Sequence, residues 1–200
     1  MLGTFVFSVA LIVVPQGTQA RPPECALEVL TPQALEERAL AEFNAKVERY
    51  VRLHRRLVRS LPPDQVFADE EDMGEASEML ADAIRAARPH AAAGDIFSVA
   101  ASELIRRRIS LAQVDGPIVP TPWTGIVGPF SELIERLKRP VVNDRYVWAT
   151  DTELPAALVS ALPPLPRELA YKVAGSDLVL LDVYANLVVD VLENAFEQAS

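Results

Sequence analysis

The sequence predicts an α+β protein: an N-terminal three-helix part, a proline-rich connecting segment and a C-terminal three-stranded antiparallel β-meander. Three observations carry this prediction. Apolar residues recur at steps of three and four through residues 31–112, the spacing of amphipathic helices. Of the sixteen prolines, fourteen gather at 15–32, 62–63, 117–129 and 155–166, where they punctuate the chain. From about 168 to 192 the helical period gives way to short strand-forming runs separated by turn residues.

In chain order, residues 21–30 form an extended lead-in. Thr31-Pro32 then starts a helix, with Thr as N-cap and Pro at the first helical position. Leu40, Phe43, Val47, Tyr50, His54 and Leu57 make its apolar stripe, and Pro62-Pro63 ends it. Residues 64–72 read as an acidic loop. A second helix spans roughly 73–88, with Met73, Ala76, Leu80, Ala83, Ile84 and Ala87 on one face, and Pro89 stops it. Gly94-Asp95 is a turn. Ser98 caps a third helix reaching about Ala112, with Leu104, Ile105, Ile109 and Leu111 apolar. Three helices with short connections suffice for a bundle.

The connecting segment, 113–166, includes a short helix at 131–138, a short strand at 141–148 and another short helix at 154–162. The β module occupies 167–200. Leu169, Tyr171 and Val173 alternate, Gly175-Ser176 fits a two-residue hairpin turn, and 178–183 is a rich strand former. Tyr184-Ala185-Asn186 fits a three-residue turn with Asn in the left-handed position, and 187–192 is the last strand. That register places Ala170, Val179, Leu181, Val183, Leu187, Val189 and Val191 on one face. The other face carries Leu169, Tyr171, Val173, Leu178, Leu180, Val188 and Leu192, with Asp182 and Asp190. Both faces are too apolar for open water. One is expected to pack on the helices, and the other on residues 141–162 or on a partner chain.

Residues 1–20 lack Lys, Arg, Asp and Glu. An apolar run of about 13 residues, the breaker Pro15-Gln16-Gly17 and the small-x-small Thr18-Gln19-Ala20 have the layout of a signal peptide cleaved near Ala20. The run falls short of the roughly 20 residues a membrane span needs, so no stable span is expected after cleavage. No basic residue opens this segment, and its β-branched residues also suit a buried strand. Export implies a periplasmic or secreted protein. Its single cysteine, Cys25, cannot close an intramolecular bridge, so the fold must rest on its core. Half of the 200 residues are hydrophobic, enough for a core, and the net charge of −9 disfavours nucleic acid and anionic membranes as partners.

Residues Leu162-Pro163-Pro164-Leu165-Pro166, the strand Leu169–Val173, Asp177–Asp182 and the terminal Asn186–Leu192 run resemble the terminal β module of bacterial periplasmic proteins, among them the nickel/cobalt-homeostasis periplasmic family. The upstream helices resemble those of uncharacterised exported bacterial proteins. The resemblance covers about 30 residues and implies an envelope location; the nickel/cobalt members add metal handling as an implied activity.

Each candidate site residue has a bland and a sharp reading. His54, on the apolar stripe, suits a hydrogen-bonded core-edge histidine. As a metal ligand or general base it lacks a second donor at ligand spacing on its helix. His90 after Pro89 suits the cation preference of a helix end. Asp69-Glu70-Glu71-Asp72, with Asp64 and Glu75, is contiguous and lacks the alternation of a calcium loop; it suits a solvated loop and a helix N-terminus. Lys46, Arg49, Arg52, Arg55, Arg56 and Arg59, and the separate Arg106-Arg107-Arg108, are expected to pair with the 69–78 acids or to form a solvated face, with an acidic partner as the intermediate possibility. Asp182 and Asp190 are expected to keep a sheet edge soluble, against a reading as a catalytic carboxylate pair. No Gly-x-Ser-x-Gly, Gly-x-Gly-x-x-Gly or phosphate loop occurs. The sequence therefore assigns no catalytic, cofactor-binding or metal residue. It leads to a non-catalytic binding or structural envelope protein, with a protein partner or self-association through the sheet. The alternatives are a periplasmic metal-handling protein and a hydrolase with an unfamiliar site.

Overall fold

Thr31 and Pro32 open the first helix as the spacing predicts. The Thr31 hydroxyl accepts the Ala34 N–H at 3.2 Å, and Pro32 takes a position where no N–H is needed. The computed structural model describes residues 31–61, 70–112, 139–146 and 154–196. The expected signal, Cys25, residues 64–69 of the expected 64–72 loop and the expected 131–138 helix lie outside the described residues.

Helix α1 spans Pro32–Val58 and buries Ala39, Phe43, Val47, Tyr50, Val51 and His54; Ala39 and Val51 join the predicted stripe, while its members Leu40 and Leu57 are only partly buried. Helix α2 spans Glu70–Ala87, starting three residues before the predicted Met73, so part of the acidic run forms its first turn, where negative charge suits the dipole. Its buried residues are Leu80, Ala81 and Ile84, while Ala87 is exposed. Helix α3 spans Val99–Ala112 directly after Ser98. Leu111 departs from expectation: it is 67% exposed because it sits about 200° around the helix from buried Ile109. Phe43 of α1 stacks on Phe97, just ahead of α3, with ring centroids 6.0 Å apart.

Helix α4, Ala156–Ala161, lies within the predicted 154–162 and buries Leu158. The expected strand at 141–148 is corrected over its described part. Asn143, at φ 69°, turns the chain out of extended geometry, and only Arg145 bridges to Leu187. The segment still borders the sheet: Asn143 N–H donates to Val188 O and Tyr146 N–H to Asn186 O, while Asp144 O accepts the Val188 N–H.

Strands β1 (Leu169–Ala174), β2 (Asp177–Asp182) and β3 (Leu187–Leu192) form an antiparallel sheet in the order β1-β2-β3, the predicted meander. Gly175 turns the first hairpin at φ 64°. The second turn takes four residues, Val183–Asn186, one more than expected, with Asn186 at φ 45° in the predicted left-handed position.

The face assignment needs a correction in β3. Leu180 opposes Asp190, but Leu181 opposes Val188, so Val189 is the extra residue of a β-bulge. An extra residue reverses the alternation. Leu187 and Val189 therefore join Leu169, Leu178, Leu180 and Leu192 in the large core with the helices. Val188 moves to the opposite face with Val179, Leu181 and Val191, where Val142 and Tyr146 pack. Residues Thr31–Ser200 form one compact unit. Among the described residues no helix is long and apolar enough to cross a membrane.

Candidate functional site

Tyr50 and His54 are one helical turn apart, so both side chains leave α1 on its buried stripe. A phenol and an imidazole placed there require polar partners, because an unmet buried hydrogen-bonding group costs about 1–3 kcal/mol. Asp182, the last residue of β2, supplies them. Its Oδ2 accepts the Tyr50 hydroxyl at 2.8 Å and lies 2.5 Å from His54 Nδ1. Its Oδ1 accepts the N–H groups of Tyr184 and Ala185, each at 3.0 Å, which folds the β2–β3 turn around the carboxylate. A carboxylate only accepts, so Nδ1 carries the proton of the His54–Asp182 bond.

This cluster is sealed: Asp182, His54 and Tyr50 are 0%, 3% and 4% exposed. Burial, reinforced by the Asp182 charge, holds the Tyr50 hydroxyl well above the usual tyrosine range, so it stays a neutral donor. The Arg88 guanidinium lies 5.2 Å from the Tyr50 ring centroid, donates to Val189 O and pairs with Asp95 at 3.5 Å. The Tyr184 ring tilts against His54 at 5.8 Å.

Beside the cluster, Glu168 is buried ahead of β1 and accepts Arg55 Nε at 2.7 Å. That bond holds its carboxyl below the ordinary range against the opposing effect of burial. Among the described residues its second oxygen, Oε2, has no hydrogen-bond partner. Asp190 is also fully buried. Its carboxylate accepts the N–H groups of Gly94, Ile96, Phe97 and Val191 at 2.6–2.8 Å, which clamps the turn before α3 onto β3. Desolvation nevertheless raises its pKa, outweighing those four bonds.

Several expectations change here. Asp182 and Asp190 do share the helix-facing side of the sheet, but neither is an edge solubiliser; each is an internal anchor for a different segment. His54 is hydrogen-bonded to a neighbour as expected, though in the core rather than at its edge. His90 is exposed, three residues beyond α2. Of the 69–78 acids only Glu75 and Glu78 have described side chains, and Glu78 meets Arg145; among the described residues Arg52 pairs with Glu48 and Arg55 with Glu168. Tyr50, Glu168 and Arg88 were not singled out from sequence. Two polar heads inside the α1 stripe were the available signal, since they demand a buried acceptor from elsewhere in the chain.

Chemically, a carboxylate on Nδ1 is the arrangement that orients a general-base histidine. A base needs a nucleophile or water on its other nitrogen, and among the described residues no hydroxyl or thiol is bonded to His54 apart from the contacts above. Nor do three or more His, Cys, Asp or Glu side chains converge among the described residues as metal ligands would. The arrangement can hold α1, β2 and the β2–β3 turn in one geometry. No protein-family model matches the chain, and neither a curated protein nor a solved structure does.

Proposed function

We propose that this chain is an exported protein of the cell envelope that works by binding another macromolecule or as a structural component, without catalysis of its own. One observation carries the non-catalytic part of the reading. The most chemically suggestive group, His54–Asp182–Tyr50, is sealed in the core, with the Asp182 carboxylate occupied by four internal donors. Export rests on the uncharged 1–20 segment and its small-x-small end.

The binding part draws on the surface. Val142 and Tyr146 pack on the sheet face turned away from the helices, and the helix surface offers a further contact region. Leu35 and Leu111, 53% and 67% exposed, stand at the same end of the α1–α3 pair, where Arg108 meets Glu36. In the native host, the protein is expected in the envelope or secreted fraction, with Arg21 as its first residue by N-terminal sequencing. Cross-linking there is expected to trap a partner. A cytosolic protein starting at Met1, or a cross-linked fraction holding only free monomer, contradicts the reading.

A further inference from the structure

The C-terminal half of α1 and its C-cap carry Arg49, Arg52, Arg56 and Arg59 at helical steps of three and four. All four are exposed, and they lie on the side of the helix opposite the buried stripe of Val47, Tyr50, Val51 and His54. Together they form a line of guanidinium groups about 15 Å long. Among the described residues only Arg52 of the four has an ion partner, Glu48 at 3.4 Å, with both side chains largely in solvent. Among the described residues Arg49, Arg56 and Arg59 make no ion pair. The helix dipole accounts for cations in the last turn of α1, but its effect does not reach back to Arg49 and Arg52.

We propose that this stripe is a docking surface for a short acidic segment of a partner protein, a run of Asp and Glu side chains lying along α1. Arginine favours carboxylates because its planar fork binds them bidentately. The charge of the remaining chain sets the size of the occupant. The whole chain carries −9, so everything outside the stripe is more negative still. A broad polyanion such as duplex DNA or an anionic bilayer would meet that repulsive surface, whereas a narrow acidic segment touches the arginines alone. No aromatic side chain is interleaved with Arg52, Arg56 and Arg59 to stack bases, and of the apolar neighbours Leu53 and Leu57 are half-buried while Val58 alone is exposed, at 36%, leaving little to insert into lipid. The inference deepens the binding reading above and rests on it.

The test uses the full mature chain and fluorescent poly-L-glutamate as probe, titrated at low salt. Binding is expected, weakening as salt rises, with R49Q/R52Q/R56Q/R59Q reducing affinity at least about tenfold. An R107Q/R139Q variant, which removes two exposed arginines elsewhere, is expected to bind as the parent does. Circular dichroism checks that both variants are folded. Parallel titrations use duplex DNA and vesicles of phosphatidylcholine with phosphatidylglycerol. Absence of poly-glutamate binding, binding undiminished by the fourfold change, or preference for DNA or vesicles overturns the proposal. A partner cross-linked in the envelope by a chain that ignores poly-glutamate sinks this inference alone; absence of any partner sinks the broader reading.

Discussion

Asp182 and Asp190 have the same side-chain chemistry and the same burial, and their neighbours give them different work. Asp182 gathers two side chains of α1 and two backbone N–H groups of the β2–β3 turn. Asp190 gathers backbone donors from the turn before α3 and from its own strand. Glu168 completes the set through Arg55. Its folded pKa is depressed, so the stability it contributes is full above the unfolded value of about 4.3 and is lost as pH falls through the folded value. Asp190 has the opposite sign. Its raised pKa means the fold binds the proton more tightly, so its contribution fades as pH rises from about 3.9 through its folded value. Urea midpoints measured across the acid range are therefore expected to show a shallower acid-side decline for Glu168→Gln than for the parent. Parallel curves would contradict the Glu168 assignment. At this scale the sequence was least legible. His54 and Tyr50 were visibly on a core stripe, but their acceptor lies 128 and 132 residues away, and no periodicity reports a contact at that range.

At the scale of elements the sequence was most legible, because caps, turns and alternation are local. The Thr31-Pro32 start, the Gly175 hairpin and the left-handed Asn186 each follow from one or two residues. The departures come from tertiary context. The bulge at Val189 reverses the faces of Leu187 and Val188, since a single extra residue is invisible in a uniformly apolar strand. The 141–148 strand is replaced, where described, by a turn through Asn143 that still bonds to β3. The Gly175 hairpin offers a clean test of the local account. A Cβ there would meet nothing within 4 Å, so the whole cost of Gly175→Ala is the positive φ of 64°. The substitution is expected to cost about 1 kcal/mol by urea unfolding, without a change in the far-ultraviolet spectrum. No loss, or a change in m-value, would show that the turn is not held as described.

At the scale of the whole molecule, the helical part and the β module share one core. Phe43, Val47 and Tyr50 of α1, Ile84 of α2 and Ile105 and Ile109 of α3 pack in the same cluster as Leu178, Leu180, Leu187 and Val189 of the sheet. Dry packing alone is non-directional. The Asp182 bonds add direction by tying one turn of α1 to the end of β2. The central claim is that His54–Asp182–Tyr50 is this internal lock. Its most direct test is a double-mutant cycle of His54→Ala and Asp182→Asn by urea unfolding. Each single change is expected to cost about 2–4 kcal/mol, with a coupling of more than about 1 kcal/mol between them. Small, additive effects, each within about 0.5 kcal/mol of the parent, would contradict the lock and reopen His54 as a residue kept for chemistry.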